Sequence, residues 1–386
     1  MKLTVRDVFT DRVVDARLNN DRVSLVTGAS IPQAYCYLSP GWCDLQVNGF
    51  GGFDLNAADI RPDACAQIAR LLLAEGITAW LPTVVTASPD QIEARLSAIA
   101  RACDGDEVAQ ATVAGIHLEG PYLSPLEGAR GAHAADCIHP PDWDEFSRWQ
   151  AASGGRIRLL TLAPEQPGSV SFIQRLVKSG VVVAIGHSLA KTDQIAAAVD
   201  AGARLSTHLG NGIPAMLPRH PNPLWDQLAD ERLYASLIFD GHHLPPNVMR
   251  VMLRAKGPAK TILVSDAVSL ARLPAGIYES SIGGPVELHA DGRLSLAGTP
   301  YLAGSAISVK DAIQNAIELA GCTLEQAIHM ATTSPTGLMG LDRSETNTIF
   351  KWDAGLRCLT VLASVVDGRA LYLSSRLQQE LSEEEE

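Results

Sequence analysis

Between about residue 40 and residue 340 the chain alternates short apolar runs with longer amphipathic stretches. Runs rich in β-branched residues fall at 42–47, 78–82, 112–118, 159–163, 181–185, 204–207, 235–239 and 261–265. Being short and largely continuous, they predict strands buried on both faces. Residues 63–75, 89–102, 171–178 and 192–201 instead carry apolar side chains at i, i+3 and i+4, the spacing of a helix with one buried face. Ser88-Pro89-Asp90 reads as a helix start: a capping hydroxyl, a proline at the first position, then an acid. Repeated strand–helix alternation implies right-handed crossovers and a parallel sheet. The count of about eight strands is what a (β/α)8 barrel needs to close, with a doubly wound open sheet as the alternative α/β arrangement.

The two ends read differently. Residues 1–41 and 343–386 hold short strand patterns, Val23-Ser24-Leu25-Val26 at one end and Leu359-Thr360-Val361-Leu362 and Ala370-Leu371-Tyr372-Leu373 at the other. Asp367-Gly368 is a hairpin-turn dipeptide. Both ends are expected to pair in space as one small discontinuous β domain, leaving 42–342 as the barrel.

Composition narrows the possible partners. The 386 residues carry 31 Lys and Arg against 43 Asp and Glu, a net charge of −12. That balance disfavours nucleic acid or an anionic membrane as the main partner. The first residues lack the apolar core of a secretory signal, and no apolar run approaches the roughly 18 residues of a membrane span. The seven cysteines are scattered without a CxxC pair, as expected of reduced thiols in a cytoplasmic protein. The terminal Glu383–Glu386 run reads as a solvated tail.

Four predicted strands end in residues able to carry chemistry. The third ends His117-Leu118-Glu119, the fifth Gly186-His187, the sixth Thr207-His208 and the eighth Ser265-Asp266. A parallel barrel gathers all C-terminal strand ends on one face, so Glu119, His187, His208 and Asp266 should converge. One carboxylate and two imidazoles suffice for a catalytic metal with an open position. Such a metal acidifies water towards a pKa of about 7, and a further carboxylate could take and return a proton. His117 shares a strand face with Glu119 and reads equally as a supporting group or as core. His139, His220, His289 and His329 show no such partners. On the first strand, Gln46 and Asn48 point the same way. Neutral amides are poor metal ligands but can hydrogen-bond a nearby water, so one metal per chain is expected rather than two.

These segments, together with residues 40–52, Asp240-Gly241-His242-His243 and Leu302-Ala303-Gly304-Ser305, occur in an order that resembles the N-acetylglucosamine-6-phosphate deacetylase family of the amidohydrolase superfamily. The resemblance covers nearly the whole chain. It implies a (β/α)8 barrel with a small β-sandwich built from both chain ends, and a cytoplasmic, metal-dependent enzyme. It implies metal ligands at Glu119, His187 and His208, and Asp266 as acid and base. By the same resemblance His133 lies near the substrate carbonyl, beside Ala132. Asn211, Gly212 and His243 meet the sugar phosphate, and Leu302, Ala303 and Gly304 contact the sugar. Arg219 would reach the phosphate of a second subunit, which implies a homodimer. Zn²⁺ is the expected metal, with Fe²⁺ also suited to this donor set. The chain departs from the family at residues 210–225, where Gly210-Asn211-Gly212-Ile213 opens an unusually Pro-rich loop.

The resulting expectation is hydrolysis of the N-acetyl group of N-acetylglucosamine 6-phosphate to glucosamine 6-phosphate and acetate. Two other readings stand beside it: deacetylation of a non-phosphorylated or galacto-configured amino sugar, and a non-catalytic sugar-phosphate-binding barrel.

Overall fold

The computed structural model describes residues 2–19, 21–27, 36–280 and 284–379, so the acidic tail at 383–386 lies outside the described residues. Eight strands form one sheet in chain order: Trp42–Val47, Ile77–Val85, Ile116–Glu119, Ile157–Leu162, Val182–Ile185, Leu205–Ser206, Tyr234–Ile238 and Thr261–Val264. Each is parallel to the next. The last meets the first through a parallel bridge between Val47 and Ala267 and a hydrogen bond from Asn48 N to the Ala267 carbonyl at 2.8 Å. The expected eight-stranded barrel is therefore present.

Alternate strand residues serve two cores. Cys43, Leu45, Ala79, Leu81, Leu159, Ala184, Leu205, Ile238, Ile262 and Val264 pack with Met339 in one cluster. Trp42, Trp80, Leu118, Leu160, Val183, Leu237 and Leu263 belong to the larger cluster that also holds the helix residues. Double-sided burial is why the strands read as apolar runs.

Local chemistry sets the helix starts. Before the Pro89–Gly105 helix, the Ser88 side chain accepts from Gln91 N and the Gln91 side chain reaches back to the Ser88 backbone. The run at 112–118 divides differently from its prediction. Asp106 accepts from Val108 N and Ala109 N and so starts a Glu107–Thr112 helix, and the strand begins only at Ile116. A local cap thus outweighs the strand propensity of Thr112 and Val113.

The two chain ends meet in one seven-stranded sheet. Its order is Lys2–Asp7, Val13–Asn19, Arg22–Thr27, Arg369–Leu373, Cys358–Val366, Asn347–Asp353 and Cys36–Pro40, closed by parallel pairing of the first with the last. Asp367 and Gly368 take φ of 50° and 73°, the conformation their hairpin requires. This domain sits against the barrel's first helix: Ser364 Oγ donates to the Leu73 carbonyl at 2.6 Å and Thr348 Oγ1 to the Gly76 carbonyl at 2.8 Å. A small antiparallel sheet, Gly276–Ser280, Gly284–Leu288 and Leu294–Leu296, follows the eighth barrel strand and was not apparent in the sequence pattern. It carries the loop that holds Leu302–Gly304 through a Ser295–Leu302 bridge. Cys43, Cys65, Cys103, Cys137, Cys322 and Cys358 are free thiols, and no helix among the described residues is long and apolar enough to cross a membrane.

Candidate active site

The C-terminal strand ends converge. Glu119 Oε1 lies 3.2 Å from His187 Nε2 and 3.0 Å from His208 Nε2, and the two imidazole nitrogens are 3.1 Å apart. All three side chains are buried. His187, His208 and Asp266 each stand two residues past the last residue of a strand and hold φ of 48°, 28° and 49°. Left-handed backbone is costly for residues with a Cβ. Here it turns each side chain from the strand end into the mouth of the barrel.

The donor set fits a divalent cation. His187 Nδ1 lies 3.0 Å from the Ala129 carbonyl, which only accepts, so Nδ1 carries a proton and Nε2 is the atom turned to Glu119 and His208. Burial alone would raise the Glu119 carboxyl, yet the hydrogen bonds and charges of His187 and His208 hold it well below the usual carboxylate range. Burial likewise opposes protonation of His208, but Glu119 outweighs it and pushes His208 up to about 9. The field at this point therefore favours positive charge. Glu119, His133 and His187 also offer ligand atoms within 4.8 Å of one another. His133 Nε2 is 3.2 Å from His187 Nε2, so four side chains compete for the same centre.

His133 reaches in from the loop after the third strand, its Nδ1 2.8 Å from Thr86 Oγ1. Burial is the main reason that His133 is pushed down to about 3, which keeps the ring neutral. On the opposite side, burial, reinforced by the Glu119 charge, pushes Asp266 up to about 6. Asn48 Nδ2 donates to Asp266 Oδ1 at 2.7 Å. His243 is oriented by Asp240, whose Oδ2 lies 2.6 Å from its Nδ1, while the Asp240 Oδ1 accepts from the backbone N–H groups of His242 and His243. His117 faces inward but pairs with Thr161 Oγ1 at 2.7 Å, which in turn contacts Thr207, so it serves the barrel interior.

These residues line a cavity of about 600 Å³. Ala132, Asn211, Gly212, Leu302, Ala303 and Gly304 line it as well, together with Asn48, Glu119, His133, His187, His208, His243 and Asp266. Gly212, at φ 63°, approaches so closely that a Cβ there would meet His187 Nδ1 at 2.7 Å. Two expected residues do not join the cavity wall. Gln46 is buried with its Nε2 unpartnered, and Arg219 lies exposed on the Pro-rich loop. Conversely, Asn56, Thr86, Arg95 and Tyr301 line the cavity without having been singled out in the sequence. Thr86, at the end of the second strand, carried a positional signal. Arg95 sits on a helix and carried none.

No family model matches the chain. It is 36% identical over 306 residues to the N-acetylgalactosamine-6-phosphate deacetylase of Escherichia coli O157:H7, covering 79% of this chain and 78% of that protein. It is 33% identical over 360 residues to the N-acetylglucosamine-6-phosphate deacetylase of Bos taurus, covering 90% and 85%. Among solved structures, a mutant N-acetyl-D-glucosamine-6-phosphate deacetylase from Mycobacterium smegmatis, in complex with N-acetyl-D-glucosamine-6-phosphate, superimposes with a TM-score of 0.81 at 30% identity, covering 96% of this chain and 99% of that one. A closed barrel with buried histidines and a carboxylate at its strand ends, joined to relatives of this identity and coverage, places the chain in the N-acetylglucosamine-6-phosphate deacetylase family of the amidohydrolase superfamily.

Proposed function

We propose that the protein hydrolyses the N-acetyl group of N-acetylglucosamine 6-phosphate, releasing acetate and glucosamine 6-phosphate. The observation that carries this reading is the convergence of Glu119, His187 and His208 on one point, with Asp266 in the same cavity. Glu119, His187 and His208 would hold one divalent metal, zinc before iron, in keeping with a donor set of one carboxylate and two imidazoles. When bound, the metal supplies a Lewis acid for the amide carbonyl and a water of lowered pKa. Asp266 takes a proton from the attacking water and delivers it to the amine, which leaves poorly unless protonated. Asn48 holds the Asp266 carboxylate in place. Neutral His133 faces the carbonyl; with the Thr86 hydroxyl proton turned from the Glu119 carbonyl to His133 Nδ1, Nε2 carries the proton that the substrate carbonyl accepts. His243, Asn211 and Gly212 meet the sugar phosphate on the side of strands six and seven, and Leu302, Ala303 and Gly304 close over the sugar.

Two finer points belong to the same reading. Residues 42–342 form the catalytic barrel, and 1–41 with 343–386 form the second domain, a division supported by membership of the two sheets. Arg219 serves the partner's phosphate in a homodimer, which accords with its exposure on a loop away from its own cavity.

The second reading that an observation favours is a galacto-configured substrate, since the relative at 36% identity acts on N-acetylgalactosamine 6-phosphate. Acetate release from the gluco and galacto 6-phosphates and from their unphosphorylated sugars decides between them. A kcat/KM for the gluco 6-phosphate below that of the others overturns the proposal. Metal analysis tests the ligand set. His208→Ala should lose the metal, whereas His133→Ala should keep about one per chain and lose turnover. The reverse pattern would make His133 the ligand.

A further inference from the structure

The cavity has two polar ends. One is formed by His243, Asn211 and Gly212, after strands six and seven. The other lies after strands one and two, where Asn56, Val85, Thr86 and Arg95 line the wall. Arg95 belongs to the Pro89–Gly105 helix and is 8% exposed. Its Nη2 donates to the Asn56 carbonyl at 2.5 Å. Asn56 is itself fixed, donating from Nδ2 to the Thr83 carbonyl at 2.9 Å and accepting at Oδ1 from Val85 N at 3.0 Å. A guanidinium is thus held rigidly on the wall of a substrate cavity. Burying a charge is costly, and the nearby Asp54 offsets only part of that burial.

The placement gives this end a meaning, which rests on the deacetylase reading. Asp266, after strand eight, must lie on the amine side of the scissile bond to protonate the leaving group. The carbonyl side of the amide faces His133, whose Nδ1 lies 2.8 Å from Thr86 Oγ1, and Thr86 adjoins Val85, whose N–H is bound by Asn56, so the acyl group lies beside the wall that Arg95 occupies. Neither an acetyl methyl nor the sugar phosphate needs a cation there. A planar guanidinium with fixed donors matches a carboxylate.

We propose that Arg95, positioned by Asn56, forms a carboxylate-binding subsite at the acyl end of the cavity. The carboxylate has two sources: the acetate product after hydrolysis, or an acyl substituent that itself ends in a carboxylate. In the first case Arg95 draws the product carboxylate away from the reaction centre. In the second it extends the substrate range to N-linked half-amides of dicarboxylic acids.

Both sources are read with metal-reconstituted enzyme. One arm measures inhibition of N-acetyl hydrolysis by acetate in the wild type, Arg95→Leu and Arg95→Lys. The other compares kcat/KM for N-malonyl and N-isovaleryl glucosamine 6-phosphate, which match in shape and differ in charge. Each ratio is internal to one preparation, so a partly unfolded variant does not distort it. The subsite predicts either an acetate Ki about tenfold weaker in Arg95→Leu, or an N-malonyl preference of about tenfold in the wild type that vanishes in Arg95→Leu, with Arg95→Lys intermediate in both. If the wild type releases acetate from the N-acetyl substrate but neither quantity depends on residue 95, the subsite is refuted and the deacetylase reading stands. If the wild type releases no acetate, the deacetylase reading falls and takes this inference with it.

Discussion

Asp266 is a buried acid beside a second carboxylate, and both circumstances keep it protonated to higher pH than usual. Its group pKa is pushed up to about 6, burial first and the Glu119 charge second. The proposed role requires the ionised form to accept the first proton. Activity should therefore be present above about pH 6 and fall as pH drops through that value, with the acid limb of kcat/KM reporting the group. Asn48 stabilises the ionised form through its 2.7 Å hydrogen bond. Asn48→Leu should move the acid limb to higher pH, and an unmoved limb would detach that limb from Asp266. Asp266→Asn preserves shape but can neither take nor return a proton. Turnover should fall by about 10²–10⁴-fold with metal content unchanged; near wild-type kcat would remove Asp266 from the mechanism.

At the scale of elements, the site depends on how strands end. The exits of the fifth, sixth and eighth strands adopt left-handed backbone at His187, His208 and Asp266. Glycines pack against the result. Gly212 follows the sixth-strand exit with φ 63°, and an added Cβ would stand 2.7 Å from His187 Nδ1, the atom that anchors the ring to Ala129. Gly212→Ala should tilt His187 and weaken metal retention by about 10–100-fold, the usual cost of losing the partner that orients a ligand. Metal competition with a chelator measures it, and an unaltered affinity would show that the loop simply shifts. The strand-exit residues were legible in the sequence because a parallel barrel sends every strand end to one face. Arg95 was not, because a helix residue's approach to the cavity depends on how the helix packs, which no local spacing encodes. The Glu107–Thr112 helix was hidden for a different reason: its cap at Asp106 preceded a run that also suited a strand.

For the whole molecule, the terminal domain is joined to the barrel by buried polar contacts as well as apolar ones. Ser364 and Thr348, both fully buried, satisfy the Leu73 and Gly76 carbonyls at the end of the first helix. The Leu73 carbonyl also accepts from Gly76 N at 3.0 Å, whereas the Gly76 carbonyl lies past the end of the helix. Ser364→Ala should cost about 0.5–1.5 kcal/mol and Thr348→Val about 1–3 kcal/mol, read as a fall in denaturation midpoint. Metal content should be unchanged, since neither residue touches the site. A midpoint equal to wild type in the double variant would show that the domains are held by apolar packing alone. The global charge of −12 shows the same separation of scales. Asp and Glu predominate over the chain as a whole, while the substrate cavity carries His243 at one end and Arg95 at the other.

By itself, the sequence determined the repeated strand–helix units, the parallel sense of their strands and which residues stand at the strand exits. Each of these follows from local periodicity combined with the single handedness of parallel crossovers. Tertiary structure alone decided which of those residues share a point. It brought His133 to within 3.2 Å of His187 across 54 positions, left Gln46 behind the cavity wall and set Arg95 upon it. It also closed the two chain ends into a single sheet. Such outcomes depend on distances between segments far apart in the chain, and packing sets those distances only once the whole barrel has closed.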